Sequence, residues 1–134
     1  MSRDHGRHNQ VVCGKLHLTT DIPCNDWVIT TAFYSAIHFI DHFMFPVEYA
    51  GTKLNNINEA HRIIKKDNKH STREFLVNTY LKSQSANYSF LMSECWNARY
   101  ANYDINEAIA NLAVKKLQAI MKECDVDKKV AKKK

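Results

Sequence analysis

Three groups of side chains in this sequence have the type and spacing to do chemistry. The first is Arg99-Tyr100, with Tyr103 one helical turn further on. A guanidinium offers phosphate a planar fork of donors, and a phenol ring stacks on a base or donates its hydroxyl. The same residues also fit a structural account. In it Arg99 pairs with Asp41 or Asp104 while the tyrosines bury their rings at a helix junction.

The second group is Tyr34, His38, Asp41 and His42, all within one apolar stretch. Residues three and four apart share a helix face, so His38 and His42 form a His-x-x-x-His pair. Such a pair can bind a metal, but a durable zinc site takes a third protein ligand, and the sequence holds no His-Glu-x-x-His motif. Hydrogen bonds within or between helices account for these groups more simply, so neither a metal nor a cofactor is expected. The third group is His61-Arg62. Histidine changes charge near neutral pH, whereas arginine keeps its charge. Adjacent helical residues face different ways, so the two serve different contacts. Tyr34, His38, Asp41, His61, Arg62, Arg99, Tyr100 and Tyr103 make up the candidate polar or RNA-contact site. Trp96 reads as packing, since it continues a helix beside an apolar seam.

Metal-free cleavage of RNA would need an acid or base near the phosphate and a cation to stabilise developing charge. His38 or His61 would act as acid–base group, Arg99 as charge stabiliser, and the RNA 2′-hydroxyl as nucleophile. The spacing does not indicate this chemistry, and no residue is assigned as catalytic.

These side chains need helices to position them. The run from Trp27 to Phe45 is apolar around most of its circumference, so a helix there must be covered on most sides. Asp21 and Pro23 suit its first turn, with Asn25 or Asp26 as later starts, and Pro46 ends it near Phe45. Glu48 to Asn56 reads as a connection containing Gly51. A second helix spans Asn56 to Lys66 on the stripe Ile57, Ala60, Ile63 and Ile64, followed by a polar turn from Asp67 to His70. Ser71 and Glu74 match a capping box that opens a third helix running to about Asn97. A bend is expected within its Ser- and Asn-rich middle, Lys82 to Ser89. Asp104 and Glu107 form a further cap, opening a fourth helix whose apolar face runs from Ile105 to Cys124.

The expected fold is therefore all-α: a four-helix up-and-down bundle with a short additional helix or bend. Residues 1–20 are a polar lead-in, mobile over Met1 to Gln10 and extended or a partial helical turn over Val11 to Leu18, with 21–124 the bundle and 125–134 a basic tail. The 134 residues suffice for one domain, and 2 Pro and 3 Gly favour long helices over a turn-rich sheet. Of the formal charge of +5, the segment from Lys122 onward carries +3, a tail that attracts nucleic acid nonspecifically or frays in solvent. Cys13, Cys24, Cys95 and Cys124 are scattered without a Cys-x-x-Cys pair, which fits free thiols in a reducing compartment. The polar start is not a secretory signal and the apolar run is interrupted by Ser35, His38, Asp41 and His42, so cytoplasm and no membrane are expected.

Three segments together resemble the HEPN family of helical domains. They are Ala32-Phe-Tyr-Ser-Ala-Ile-His38-Phe-Ile-Asp41, the His61-Arg62 element, and Tyr88-Ser-Phe-Leu91-Met-Ser93-Glu-Cys-Trp-Asn-Ala98-Arg99-Tyr100. The resemblance covers roughly Asp21 to Cys124 and rests on order and spacing. It implies a helical bundle that dimerises and works in RNA processing, antiviral defence or toxin–antitoxin systems. Some members are metal-independent endoribonucleases; others are noncatalytic nucleotide- or protein-binding modules. The ribonuclease pattern has Arg, four to six residues, then His, which from Arg99 would fall on positions now held by Asp104, Ile105 or Asn106. Arg3 and His8 have that spacing but lie in the lead-in. The resemblance thus implies a noncatalytic homodimeric module, with RNA, a nucleotide or a cognate regulatory protein as partner. A divergent endoribonuclease and a structural dimerisation domain are the alternatives.

Overall fold

In the computed structural model, residues 2–18 and 24–127 are described. The expected starts at Asp21 and Pro23 lie outside them. The described residues form six α-helices and one small hairpin, so the mostly helical class holds while the helix count rises.

The largest correction is at the N-terminus. The lead-in is a helix, α1 (Ser2–His17), with Asp4 in its first turn and Lys15 and His17 in its last, as the helix dipole favours. It packs along α2 (Asn25–Met44), the central helix, which also contacts α5 and α6. Few apolar residues mark α1 because close approach, not an apolar stripe, docks it. Gly6 is buried against α2, where an added Cβ would meet the Phe39 ring at 3.2 Å and His38 Cβ at 3.3 Å. Ser35 Oγ donates to the Gly6 carbonyl at 2.7 Å.

Eleven of the twenty residues of α2 are buried, as its apolar circumference requires. The helix ends where Pro46 dictates: Phe45 is extended, with φ −94° and ψ 142°. The expected connection is a hairpin instead, β1 (Val47–Tyr49) pairing antiparallel with β2 (Thr52–Leu54). Its two turn residues, Ala50 and Gly51, both have positive φ (51° and 80°), the requirement of a type I′ turn.

Helix α3 (Ile57–Ile64) is capped by Asn56, which accepts from Glu59 N, and ends at a left-handed Lys65. Helix α4 (Lys69–Tyr80) begins one turn nearer the N-terminus than Ser71 suggests. Asn68 takes the cap, accepting from Ser71 N at 2.8 Å, and Glu74 receives Ser89 Oγ instead of closing a capping box. The anticipated bend lies at the start of its expected window. There a 3-10 turn at Lys82–Gln84 separates α4 from α5 (Ser85–Tyr100). Helix α6 (Glu107–Cys124) is capped by Asn106, not Asp104.

The core gathers around α2, with Phe39, Ile29, Ile40, Leu76, Tyr88, Leu91, Leu117 and Ile120 fully buried. Burying each such side chain contributes about 1.5–3 kcal/mol of transfer free energy. The last helix ends at Cys124, and the residues just after it still make contacts. Asp125 binds both Arg3 and Arg7, and His42 Nε2 lies 2.8 Å from the Val126 carbonyl. All four cysteines are free thiols. Among the described residues no helix is long and apolar enough to cross a membrane.

Candidate functional site

The eight candidate residues do not converge; the helices distribute them over separate places. His38 faces α1, where its Nδ1 lies 3.1 Å from Ser2 Oγ and its ring stacks on His5 with centroids 4.0 Å apart. Burial, reinforced by the neighbouring His5, pushes the His38 pKa below its ordinary value. Asp41 binds Arg73 of α4 through both oxygens, at 2.7 and 3.0 Å. Burial of Arg73 works against its charge, yet the Asp41 carboxylate more than offsets it and raises the guanidinium pKa. His61 Nδ1 lies 2.7 Å from Thr72 Oγ1, an α3–α4 contact, while Arg62 is exposed. Among the described residues no group of three or more His, Cys, Asp or Glu is arranged to hold a metal.

Tyr34, Arg99 and Tyr100 do come together. They line a cleft of about 650 Å³ between α2, the first turn of α4 and α5. Helix α5 builds it by carrying two apolar stripes. Tyr88, Leu91, Cys95 and Ala98 face the core, while Met92, Trp96 and Tyr100, spaced four apart, line the cleft. The first turn of α4 supplies Asn68, His70 and Ser71. Among the described residues no carboxylate lines the cleft.

Arg99 does not pair with Asp41, which Arg73 occupies, and makes no ion pair with Asp104. Its guanidinium carbon instead lies 6.0 Å from the Trp27 ring centroid and 5.9 Å from that of Tyr100. A cation over ring faces keeps its hydrogen-bonding edge available. Trp96 is not interior packing: it is 62% exposed, with its ring centroid 5.8 Å from that of Tyr100, which is 71% exposed. Tyr103 lies beyond α5 and is exposed, outside the cleft lining.

His70 is half-buried beside Phe33, ring centroids 5.2 Å apart, and its Nδ1 has no hydrogen-bond partner among the described residues. Burial lowers its pKa, the Arg73 charge lowers it further, and Asp41 opposes both. Beneath it, burial pushes the Tyr88 phenol up to about 12, and its hydroxyl donates to the His70 carbonyl at 3.1 Å.

Sequence reasoning missed Met92, Trp96, Asn68, His70 and Ser71 as parts of this cleft, and Trp27 as a ring beside Arg99. The four-residue spacing of Met92 and Trp96 with Tyr100, opposite the core stripe of α5, was the signal available for those two. Compared with models of known protein families, with curated proteins and with solved structures, the chain matches none.

Proposed function

We propose that this chain is a noncatalytic HEPN-like module that binds a nucleotide or a segment of RNA in the Arg99 cleft. One observation carries the reading: an exposed guanidinium lies near two aromatic rings at a cleft, and among the described residues it has no ion pair and the cleft no carboxylate. Arginine supplies a fork for phosphate, and Trp96, Tyr100 and Tyr34 supply faces for a base. The sequence candidates for acid–base work, His38 and His61, make their contacts elsewhere, which supports a binding role over cleavage. Within this reading the module acts as a homodimer in a defence or toxin–antitoxin setting, as the resemblance implies.

Titrating the protein with adenosine monophosphate while following tryptophan fluorescence tests it. Saturable quenching lost in Arg99→Ala and Trp96→Ala is expected. A flat titration with both AMP and a short RNA would leave only a structural dimerisation role.

A second reading, a divergent metal-independent endoribonuclease, has one observation in its favour: His70 lines the same cleft as Arg99. RNA cleavage in the presence of a chelator, abolished by both His70→Ala and Arg99→Ala, would replace the binding role with this one.

A further inference from the structure

We infer that the cleft is one end of a track for single-stranded nucleic acid, whose phosphates cross the basic segment from Arg62 to Lys69. The inference rests on the nucleotide reading above and names the form of the ligand, a strand instead of a free mononucleotide.

The last turn of α3, the connection after it and the first residue of α4 carry Arg62, Lys65, Lys66 and Lys69, all exposed, against a single acid, Asp67. None of these four cations makes an ion pair among the described residues. The left-handed Lys65, at φ 56°, turns the chain out of α3. The next residues, Asn68, His70 and Ser71, form the rim of the cleft. In sequence the cations therefore lead directly into the residues that line the cleft. Lys66 Nζ lies 4.8 Å from the ring centroid of Phe75, which is outside the cleft lining.

Charge and shape choose among ligands. A mononucleotide would use Arg99 and the rings, leaving four cations on the adjoining segment without a role. A strand places successive phosphates along that segment while one base enters the cleft. The pocket also discriminates against a duplex, because Trp96 and Tyr100 offer ring faces that only an unpaired base can cover.

The test uses the full chain and a fluorescent oligouridylate of about 12 nucleotides, read by anisotropy, with AMP and an RNA duplex of equal length as competitors. Variant Lys65→Gln/Lys66→Gln/Lys69→Gln is compared with wild type between about 50 and 200 mM salt. The oligomer should outcompete both AMP and the duplex by about tenfold or more. The triple variant should bind the oligomer about tenfold more weakly, with a salt slope smaller by about 2, and bind AMP as before.

Equal affinity for AMP and oligomer, or a triple variant with undiminished oligomer affinity and slope, overturns the track while leaving nucleotide binding in place. Failure of both AMP and oligomer to bind sinks the underlying reading too. Equal binding of duplex and strand, indifferent to Trp96→Ala, reduces the interaction to nonspecific charge and also overturns the proposal. Should the triple variant misfold by circular dichroism, the wild-type salt slope and the single variant Lys69→Gln decide the same question.

Discussion

Asp41 holds Arg73 through both carboxylate oxygens, at 2.7 and 3.0 Å, across the interface between α2 and α4. Arg73 is only 5% exposed, so its charge depends chiefly on Asp41 and not on solvent. Removing one partner of a buried pair leaves the other charge uncompensated, which costs more than the pair contributes. Asp41→Ala is therefore expected to destabilise the fold by about 3–5 kcal/mol in urea titrations. The double variant Asp41→Leu/Arg73→Met should recover much of that loss. A double variant as unstable as Asp41→Ala alone would mean that packing around Arg73, and not its charge, is what matters.

Exposure makes the cleft separable from stability. Trp96→Ala and Arg99→Ala remove groups standing largely outside the core, so each should change unfolding free energy by less than about 1 kcal/mol. Leu91→Ala, on the opposite face of the same helix, should cost about 2–5 kcal/mol. Comparable losses in all three would place Trp96 and Arg99 in the folding core and remove the basis for a binding site.

The histidines set a pH dependence with a definite sign. His38 and His70 both have folded pKa values below the ordinary value, chiefly through burial. The unfolded chain therefore binds protons first, and folding stability falls as pH drops below about 6.5 and through the folded values. Asp125 titrates in a separate and more acidic window. Burial would raise its pKa, but hydrogen bonds from Arg3 and Arg7 hold it lower, so its contribution is lost only as pH falls through that depressed value. Urea midpoints measured from about pH 7.5 to about pH 5 should decline. The double variant His38→Gln/His70→Gln should flatten the decline, and an unchanged slope would exclude these two rings as its source.

The two helical glycines should respond in opposite directions to alanine. Gly14 has nothing within 4 Å of an added Cβ, so Gly14→Ala should stabilise by about 0.5–1 kcal/mol through helix propensity. Gly6→Ala gains the same propensity but presses a methyl against Phe39 and His38 at 3.2–3.3 Å. Overpacking costs about 1–3 kcal/mol, enough to outweigh that gain. Thermal melts showing both variants stabilised would mean α1 is free to shift along α2.

Local signals in the sequence were read well where local physics decides. Pro46 ended α2 because a proline ring constrains the residue before it whatever the tertiary structure. The apolar faces of α2 and α6 were legible for the same reason, since burial needs only periodicity. Caps were harder. Asn56, Asn68 and Asn106 took the N-cap of α3, α4 and α6, and two of these displaced alternatives with the capping-box spacing. Asparagine accepts as well as serine or aspartate, so neighbouring candidates a few residues apart compete on nearly equal terms.

Helix α1 stayed hidden because a glycine contact, a serine hydrogen bond and a stacked histidine pair dock it, and none of these has a period. The site was only partly legible. Arg99, Tyr100 and Tyr34 were identifiable by chemistry. That Arg73, 32 positions from Asp41, would claim the carboxylate and leave Arg99 on the surface is a matter of tertiary placement.

Asp125, which accepts from Arg3 and Arg7 across more than a hundred positions, joins the first turn of α1 to the chain just past α6. Local opening at either place must break the same carboxylate contacts, so the two places share one opening equilibrium. Amide hydrogens near Arg7 and near Asp125 should then exchange with deuterium together, and Asp125→Asn should speed both by the same factor.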